Sequence, residues 1–412
     1  MSNGDPPVGD ATVTHPLPPG SWLGMMGGGQ LGRMFCMAAQ SLGYRVCVID
    51  PGIHSPAGDI ADLHLRADYL DETALGEMAS LCRVVSTEFE NVPAQALARL
   101  ARDCRVTPGA EAVSIAQDRI AEKRFVETCG VPVAPYRAVH DAADLEGIES
   151  SSLLPGILKV ARLGYDGKGQ ARVTNRREAL AALLEFSLAS DGSAGPGGVP
   201  QKMIPCVLEK RLDLAMEISV IVVRAHDGQC ATFPVAENVH HDGILAVSTV
   251  PAAIDEALAA GARAAALELA ARLKYVGVLC IEFFVLADGS LLVNEMAPRP
   301  HNSGHYSIDA TVTSQFEQQA RVMAGLPLGS TDLLAPAVML NILGDAWFTT
   351  GSRQEPDWSA VLAHSGAKLH LYGKREPRPG RKMGHVTVLA GTAADARAQA
   401  MAIAPLIAQR IG

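Results

Sequence analysis

Glu282 and Glu295 are the residues whose types and spacing point most directly to chemistry. They sit in two β-branched, apolar runs, 278–286 (VLCIEFFVL) and 291–296 (LLVNEM), joined by Ala287-Asp288-Gly289-Ser290, which has the composition of a hairpin loop. Pairing Leu286 with Leu291 sets Phe284 opposite Val293 and Glu282 opposite Glu295, on one face. Like charges so opposed destabilise a sheet. A Mg²⁺ ion that bridges both acids and also holds phosphate oxygens removes the conflict, so the pair reads as a nucleoside-triphosphate site. A solvated hairpin whose register slips by one residue is the other reading. Directly beyond, Arg299-Pro300-His301-Asn302-Ser303-Gly304-His305 packs cationic, imidazole and amide groups into a short stretch stiffened by a proline, a mixture that a surface loop rarely needs.

A second candidate lies upstream. A short strand, Gly156–Val160, carries Lys159; the loop Gly164-Tyr165-Asp166-Gly167-Lys168-Gly169-Gln170 follows, then a strand over Ala171–Thr174. It is not a Walker loop, because no G-x-x-x-x-G-K-[ST] occurs and no helix follows. Strand, glycine loop, strand makes a flap whose backbone can close over phosphates while Lys159 and Lys168 supply positive charge; taken alone, it reads equally as a tight hairpin. Glu209 and Glu217 fall in strand-like runs, 207–210 and 217–220. They read either as acceptors for a nucleotide's amino and ribose groups or as salt-bridge partners of Lys210 and Arg211.

These residues need elements to position them. From Trp22 the pattern is strand (Ser21–Met26), glycine turn, helix (Gln30–Leu42) and strand (Arg45–Asp50), an α/β opening. Gly27, Gly29 and Gly32 spell G-x-G-x-x-G, with Asp50 at the end of the next strand, so an NAD-dependent oxidoreductase is the rival from another class. By itself the turn says only that an anion suits the helix N-terminus. Glu88 and Glu90 follow the strand ending at Thr87 and read equally as acids of a helix N-terminus or as substrate contacts. Ser114–Cys129 reads as one helix carrying Arg119, Lys123 and Arg124, and Ala252–Leu273 as an alanine-rich scaffold helix. Near the C-terminus, Lys374, Arg375, Arg378, Arg381 and Lys382 place five cations in nine residues between two strands, 367–372 and 385–389. On an acidic chain such a loop suits a phosphate, and its other reading is a solvated charge cluster.

Composition bounds the rest. A chain of 412 residues, 48% hydrophobic and 19% charged, has room for two or three domains with real cores. Its net charge of −9 argues against nucleic acid as a partner. No apolar run approaches a membrane span and no signal peptide is evident, so a cytoplasmic location is expected. The eight cysteines show no metal spacing and read as buried thiols. Residues 1–20, with five prolines and three glycines, read as a disordered leader.

The flap followed by a two-acid hairpin resembles the ATP-grasp superfamily. Six ordered motifs narrow the resemblance to its 5-(carboxyamino)imidazole ribonucleotide synthases: GGGQLGRM (27–34), EFENVP (88–93), KVARLGYDGKGQ (159–170), PVAENVHHDGIL (234–245), NEMAPRPHNSGH (294–305) and RPGRKMGH (378–385). The resemblance implies an α/β chain in three parts: a Rossmann-like preATP-grasp domain over 21–117, an ATP-grasp α+β domain with its lid over 118–332, and a small β-rich C-terminal domain over 333–412. It implies ATP and Mg²⁺ as cofactors, bicarbonate and 5-aminoimidazole ribonucleotide as substrates in purine biosynthesis, and a homodimer. The implied ATP contacts are Arg119, Lys159, the flap Gly164 to Gln170, Glu209, Lys210, Arg211, Leu212, Glu217, His240, Asn294 and Glu295, with the metal on Glu282 and Glu295. Ribonucleotide contacts fall on Gly29, Gln30, Leu31, Glu90, Asp166, Asn302, Lys374 and Arg381.

Bicarbonate is a poor electrophile, so the chemistry implied begins with transfer of the γ-phosphoryl of ATP onto it, giving carboxyphosphate. Arg299 offers a planar fork to that anion, and His301 donates to it or manages a proton. Asp166 holds the substrate amine or takes its proton. One departure is notable: many ATP-grasp enzymes carry asparagine two residues after the second acid, where this chain has Ala297, and strict alternation turns Asn294 to the opposite face. A different purine-pathway ATP-grasp ligase and a catalytically silent ATP-binding regulator are the remaining alternatives.

Overall fold

The computed structural model describes residues 15–164, 168–191, 202–349 and 351–410. Tyr165, Asp166 and Gly167 of the expected flap and residues 1–14 of the expected leader lie outside the described residues. The fold begins before Trp22, because the Leu17 N–H donates to the Ala324 carbonyl at 2.8 Å and the Leu17 carbonyl accepts from the Tyr44 hydroxyl at 2.8 Å.

The N-terminal part is a five-stranded parallel sheet in the order Leu63–Leu65, Arg45–Ile49, Trp22–Met26, Val84–Thr87, Arg105–Val106. Its strands are apolar runs buried on both faces, as a sheet flanked by helices requires. Strand order reverses beside Trp22–Met26, so a crevice opens at the carboxyl ends of Trp22–Met26 and Val84–Thr87. The glycine turn and Glu88 both lie there.

Two further sheets build the rest. Tyr136–Val139, Cys206–Lys210, Gly156–Val160 and Gln170–Val173 pair antiparallel in that order. A nine-stranded antiparallel sheet has the hairpin strands Leu291–Ala297 and Gly277–Leu286 at one edge, followed by Leu214–Arg224, Ala236–His241 and Ile244–Val250. The C-terminal strands Ala337–Leu343, Lys382–Leu389 and Ala367–Leu371 extend this same sheet from Ile244–Val250, rather than forming a sheet of their own.

Several local expectations are corrected. The single helix over Ser114–Cys129 is two helices, Ala110–Ala116 and Arg119–Thr128, because Asp118 caps the second by accepting from the Ile120 and Ala121 N–H groups at 3.0 and 3.2 Å. The alanine-rich helix is Glu256–Arg272, started by Asp255 and packing Ala262, Ala266 and Leu269 into the core under the sheet. Cys230 is exposed and Cys129 half-buried, whereas the other six cysteines are buried. In the hairpin, Glu282 does face Glu295, but Phe283 pairs with Val293, Phe284 with Leu292 and Val285 with Leu291. The register shifts by one because Asn294 is an extra residue on its strand, a β-bulge.

Candidate active site

A cleft of about 1070 Å³ opens where the three sheets meet. The parallel sheet contributes Gln30, Leu31, Glu88 and Glu90; the four-stranded sheet contributes Lys159 and Gln170; the large sheet contributes Glu217, His240, Glu282, Asn294 and Glu295. Arg119, Gly164, Lys168, Gly169, Arg211, Leu212, Arg299, His301 and Asn302 also line it, and Lys382 closes it from the C-terminal strands. Gly29, Lys210, Lys374 and Arg381 do not line it.

The hairpin acids are held by cations. Arg119 Nη1 donates to Glu295 Oε2 at 2.8 Å, and His301 Nε2 lies 3.0 Å from Glu282 Oε1. Burial works against the imidazolium of His301, but the Cys280 sulfur and the Glu282 carboxylate beside it more than offset this and hold its pKa well above the ordinary value. Burial raises the Glu282 carboxyl, and the His301 ring outweighs that and keeps it ionised. The bulge bears on the metal question. It re-aims the Asn294 side chain, which lines the cleft beside Glu295, and buries its Oδ1 with no hydrogen-bond partner. Two carboxylates and an orphaned amide oxygen form the all-oxygen donor set that suits Mg²⁺. Glu217, His240 and Glu282 also bring ligand atoms within 4.8 Å of one another, a set whose imidazole nitrogen suits Mg²⁺ less well.

Glu209 is buried and pairs with neither Lys210 nor Arg211. Its carboxylate is shared by Lys159 Nζ at 2.9 Å and Lys123 Nζ at 3.2 Å. Burial alone would raise its pKa; the two lysines bring it down to about 2. Lys123 is a residue the sequence reasoning placed on a helix without giving it a role, and Glu122 it missed altogether. Their signal was helical spacing, because Arg119, Glu122 and Lys123 stand at i, i+3 and i+4 on one face. Glu122 is buried, accepts from the Met296 N–H at 2.5 Å, and is raised to about 8 by burial and then by the Glu295 charge. His240 Nδ1 lies 3.1 Å from Glu217 Oε2, within ion-pair distance.

Arg299 Nε donates to Glu90 Oε2 at 2.5 Å, which ties the parallel sheet to the segment 299–305. Burial raises Glu90, but Arg299 prevails and lowers it to about 2. Both polar atoms of the Asn302 amide are buried without a partner in the wall of the cleft, so this side chain is set to meet a ligand.

The glycine turn differs from both expectations placed on it. Glu88 accepts from the Gly29 N–H at 2.5 Å and from the Leu31 N–H at 3.2 Å, so its carboxylate occupies the anion position at the helix N-terminus. Asp50 is also engaged internally, accepting from the Gly28 and Gly52 N–H groups at 2.9 and 2.8 Å and from the Tyr69 hydroxyl at 3.0 Å. With the pyrophosphate and ribose positions both filled by the protein itself, the NAD reading fails. Phosphate binding by the Gly29 amide fails with it. The basic loop does approach this helix, since a Cβ on Gly373 would lie 3.5 Å from Arg33 Nη1. Within the loop, Lys374 Nζ donates to the Lys382 carbonyl at 2.7 Å and Arg381 Nη1 to the Glu376 carbonyl at 2.7 Å, so Lys382 is the cation that reaches the cleft.

Comparison with known proteins bears on the family of the chain. Family models match as a ribonucleotide synthetase preATP-grasp domain over residues 21–117, an ATP-grasp domain over 124–316 and a phosphoribosylaminoimidazole carboxylase C-terminal domain over 337–399. The N5-carboxyaminoimidazole ribonucleotide synthase of Brucella melitensis is 46% identical over 371 residues, covering 90% of this chain and 97% of its own. A crystal structure of an N5-carboxyaminoimidazole ribonucleotide synthetase in complex with ADP superposes with a TM-score of 0.85 at 40% identity, over 96% of this chain and 99% of that one. The Aspergillus clavatus synthase, solved with ADP and 5-aminoimidazole ribonucleotide, gives 0.81 at 32% identity over 94% and 98%. Three matched parts in order, full-length similarity and a cleft with paired acids together place the chain in the N5-carboxyaminoimidazole ribonucleotide synthase family of ATP-grasp enzymes.

Proposed function

We propose that this chain uses ATP to join bicarbonate to the exocyclic amine of 5-aminoimidazole ribonucleotide, releasing ADP and phosphate in purine biosynthesis. The observation that carries the reading is that one cleft built from all three sheets is lined by Arg299, His301, the Glu282 and Glu295 carboxylates and Lys382, with His301 Nε2 3.0 Å from Glu282 Oε1. Lys159, clamped by Glu209, faces the nucleotide side, and Gly164, Lys168, Gly169 and Gln170 line the same cleft. Glu217, His240, Arg211 and Leu212 take the base and ribose. Glu282 and Glu295, with Asn294 beside them, would hold Mg²⁺, which would supply charge neutralisation to the phosphates.

Arg299 and His301 hold bicarbonate against the γ-phosphate. His301, with its ring nitrogens held at Ser303 and Glu282, serves as a fixed contact for the developing carboxyphosphate. Asn302 meets the ribonucleotide with its unpaired amide, together with Gln30, Leu31 and Glu90. Lys374 and Arg381 stiffen the basic loop that presents Lys382 to the substrate phosphate, and Asp166 takes the amine proton. Assembly as a homodimer in the cytoplasm belongs to the same reading and rests on the family resemblance; sedimentation checks the assembly.

The experiment is ADP release by the full-length chain, with and without bicarbonate and the ribonucleotide, in wild type and in Lys382→Ala. Release that needs both substrates, with a raised KM for the ribonucleotide in the variant, is the expected result. ATP hydrolysis indifferent to the ribonucleotide would leave an ATP-grasp ligase acting on some other phosphorylated amine.

A further inference from the structure

Behind His301 the large sheet carries a row of polar side chains that do not line the cleft. Ser248 Oγ donates to Asn238 Oδ1 at 2.7 Å, Asn238 Nδ2 to Ser219 Oγ at 2.9 Å, and Ser219 Oγ to Ser303 Oγ at 2.7 Å. Ser303 Oγ then meets His301 Nδ1 at 2.8 Å. Ser248 and Ser303 are 0% exposed, Ser219 1% and Asn238 5%. Ser219 is the cross-strand partner of Glu282, and Asn238 that of Glu217 and Ser248, so the row shares the sheet face from which the ligand-facing acids project. Burying hydroxyl and amide groups is unfavourable unless they are bonded, and alternate residues of these strands, such as Ile218 and Val220, are apolar core. A row of polar groups here, bonded end to end and ending on one imidazole, calls for a reason.

We infer that Asn238 is a positioning residue for His301, an inference that rests on the proposed role of His301 as an anion contact. Within this row an amide suits the position because it both accepts and donates. By accepting from Ser248 and donating to Ser219, Asn238 turns the Ser219 hydroxyl hydrogen onto Ser303 and so fixes Ser303 Oγ against His301 Nδ1. The imidazole is then clamped at both nitrogens, Nδ1 on Ser303 and Nε2 on Glu282. Cut at Asn238, the row frees Ser219 and Ser303 to turn, and the ring loses the fixed point that aims Nε2 at the cleft.

The test is a double-mutant cycle on ADP release by the full-length chain. Asn238→Ala lowers kcat on the order of tenfold or more while KM for ATP stays within about twofold; in a His301→Ala background the same substitution changes kcat by less than about twofold. Asn341→Ala is the control, because Asn341 is equally buried in this sheet but donates to the Leu245 carbonyl at 2.6 Å, away from His301. It lowers the unfolding midpoint and leaves kcat in place. If Asn238→Ala does not fold, Ser219→Ala, which cuts the row one residue nearer, carries the same expectation. Equal kcat losses in both backgrounds, or a loss of stability at unchanged kcat as in Asn341→Ala, overturns the inference. A crystal structure of the variant tests the clamp without any substrate: a His301 ring turned off Ser303 supports it, and an unmoved ring sinks it. This reading survives a wild type that ignores the ribonucleotide, which would overturn only the proposed reaction.

Discussion

Glu122 shows how the site holds charge that the cleft alone would not tolerate. Its carboxyl lies beside Glu295, accepts from the Met296 N–H, and has a pKa raised from 4.5 to about 8 by burial and by its acidic neighbour. Between those pH values the folded chain keeps a proton that the unfolded chain has lost, so this residue's contribution to stability is intact below about pH 4.5 and declines as pH rises to about 8. Glu122→Gln keeps the acceptor for Met296 and removes the charge. The difference in unfolding free energy between Glu122→Gln and wild type should therefore widen in the variant's favour from pH 5 to pH 8, reaching about a few kcal/mol in the metal-free protein. Urea titrations at several pH values measure it, and a difference that does not change with pH would show that Glu122 is ionised throughout. This residue was readable from helix spacing with Arg119 and Lys123. Glu88 was not, because its partners Gly29 and Leu31 are 59 and 57 residues away and only the parallel sheet brings them together.

Two short elements decide what the backbone can present. The bulge at Asn294 keeps Glu282 opposite Glu295 and re-aims the asparagine that strict alternation would point away. The hairpin was legible in the sequence, but its register was one residue off at the loop, where Leu291 pairs with Val285 rather than Leu286, and the acids face each other as expected only because the bulge restores that residue. The bulge was not legible, since nothing in LLVNEM distinguishes an extra residue from a regular strand. Removing a buried oxygen that has no partner costs the empty protein little, so Asn294→Ala should leave the unfolding midpoint unchanged or slightly raised. KM for ATP at fixed Mg²⁺ should rise roughly tenfold or more, about the loss of one hydrogen bond to a charged ligand; an unchanged KM would remove Asn294 from the nucleotide site. The glycine turn was legible as a turn before a helix, but its occupant was misread, since an internal carboxylate suits a helix N-terminus as well as a phosphate does. A Cβ at Gly29 would lie 2.2 Å from Glu88 Oε1. Gly29→Ala should thus destabilise the fold by roughly 2–4 kcal/mol in urea unfolding, whereas a mild effect would mean that Glu88 swings out and leaves the amides open.

At the scale of the whole molecule, three matched parts suggest three folding units, but the packing does not divide that way. Helix Gln315–Ala324 lies at the end of the ATP-grasp match, yet it places Phe316, Ala320, Met323 and Ala324 in one core with Phe35 and Ala39 of the first helix, and Tyr372 from the C-terminal strands joins the same cluster. Gln319 Nε2 donates to Ser86 Oγ at 3.0 Å, Arg299 is bound to Glu90, and strand Ala337–Leu343 completes the large sheet beside Ile244–Val250. A unit unfolding alone would expose the shared apolar core and leave a sheet edge bare, so calorimetry should show one cooperative transition for the full chain. Phe316 is the place to probe this, being 1% exposed and packed among residues of all three parts. Phe316→Ala should cost about 3–5 kcal/mol and move the whole transition down without splitting it. A transition that splits, with one component unmoved, would show that the parts fold separately and that the cleft assembles only afterwards by docking. The active site has no residence in any single part, since Glu90, Arg299 and Lys382 reach it from three different sheet regions, so a cooperative fold is the simplest way for the chain to keep it assembled.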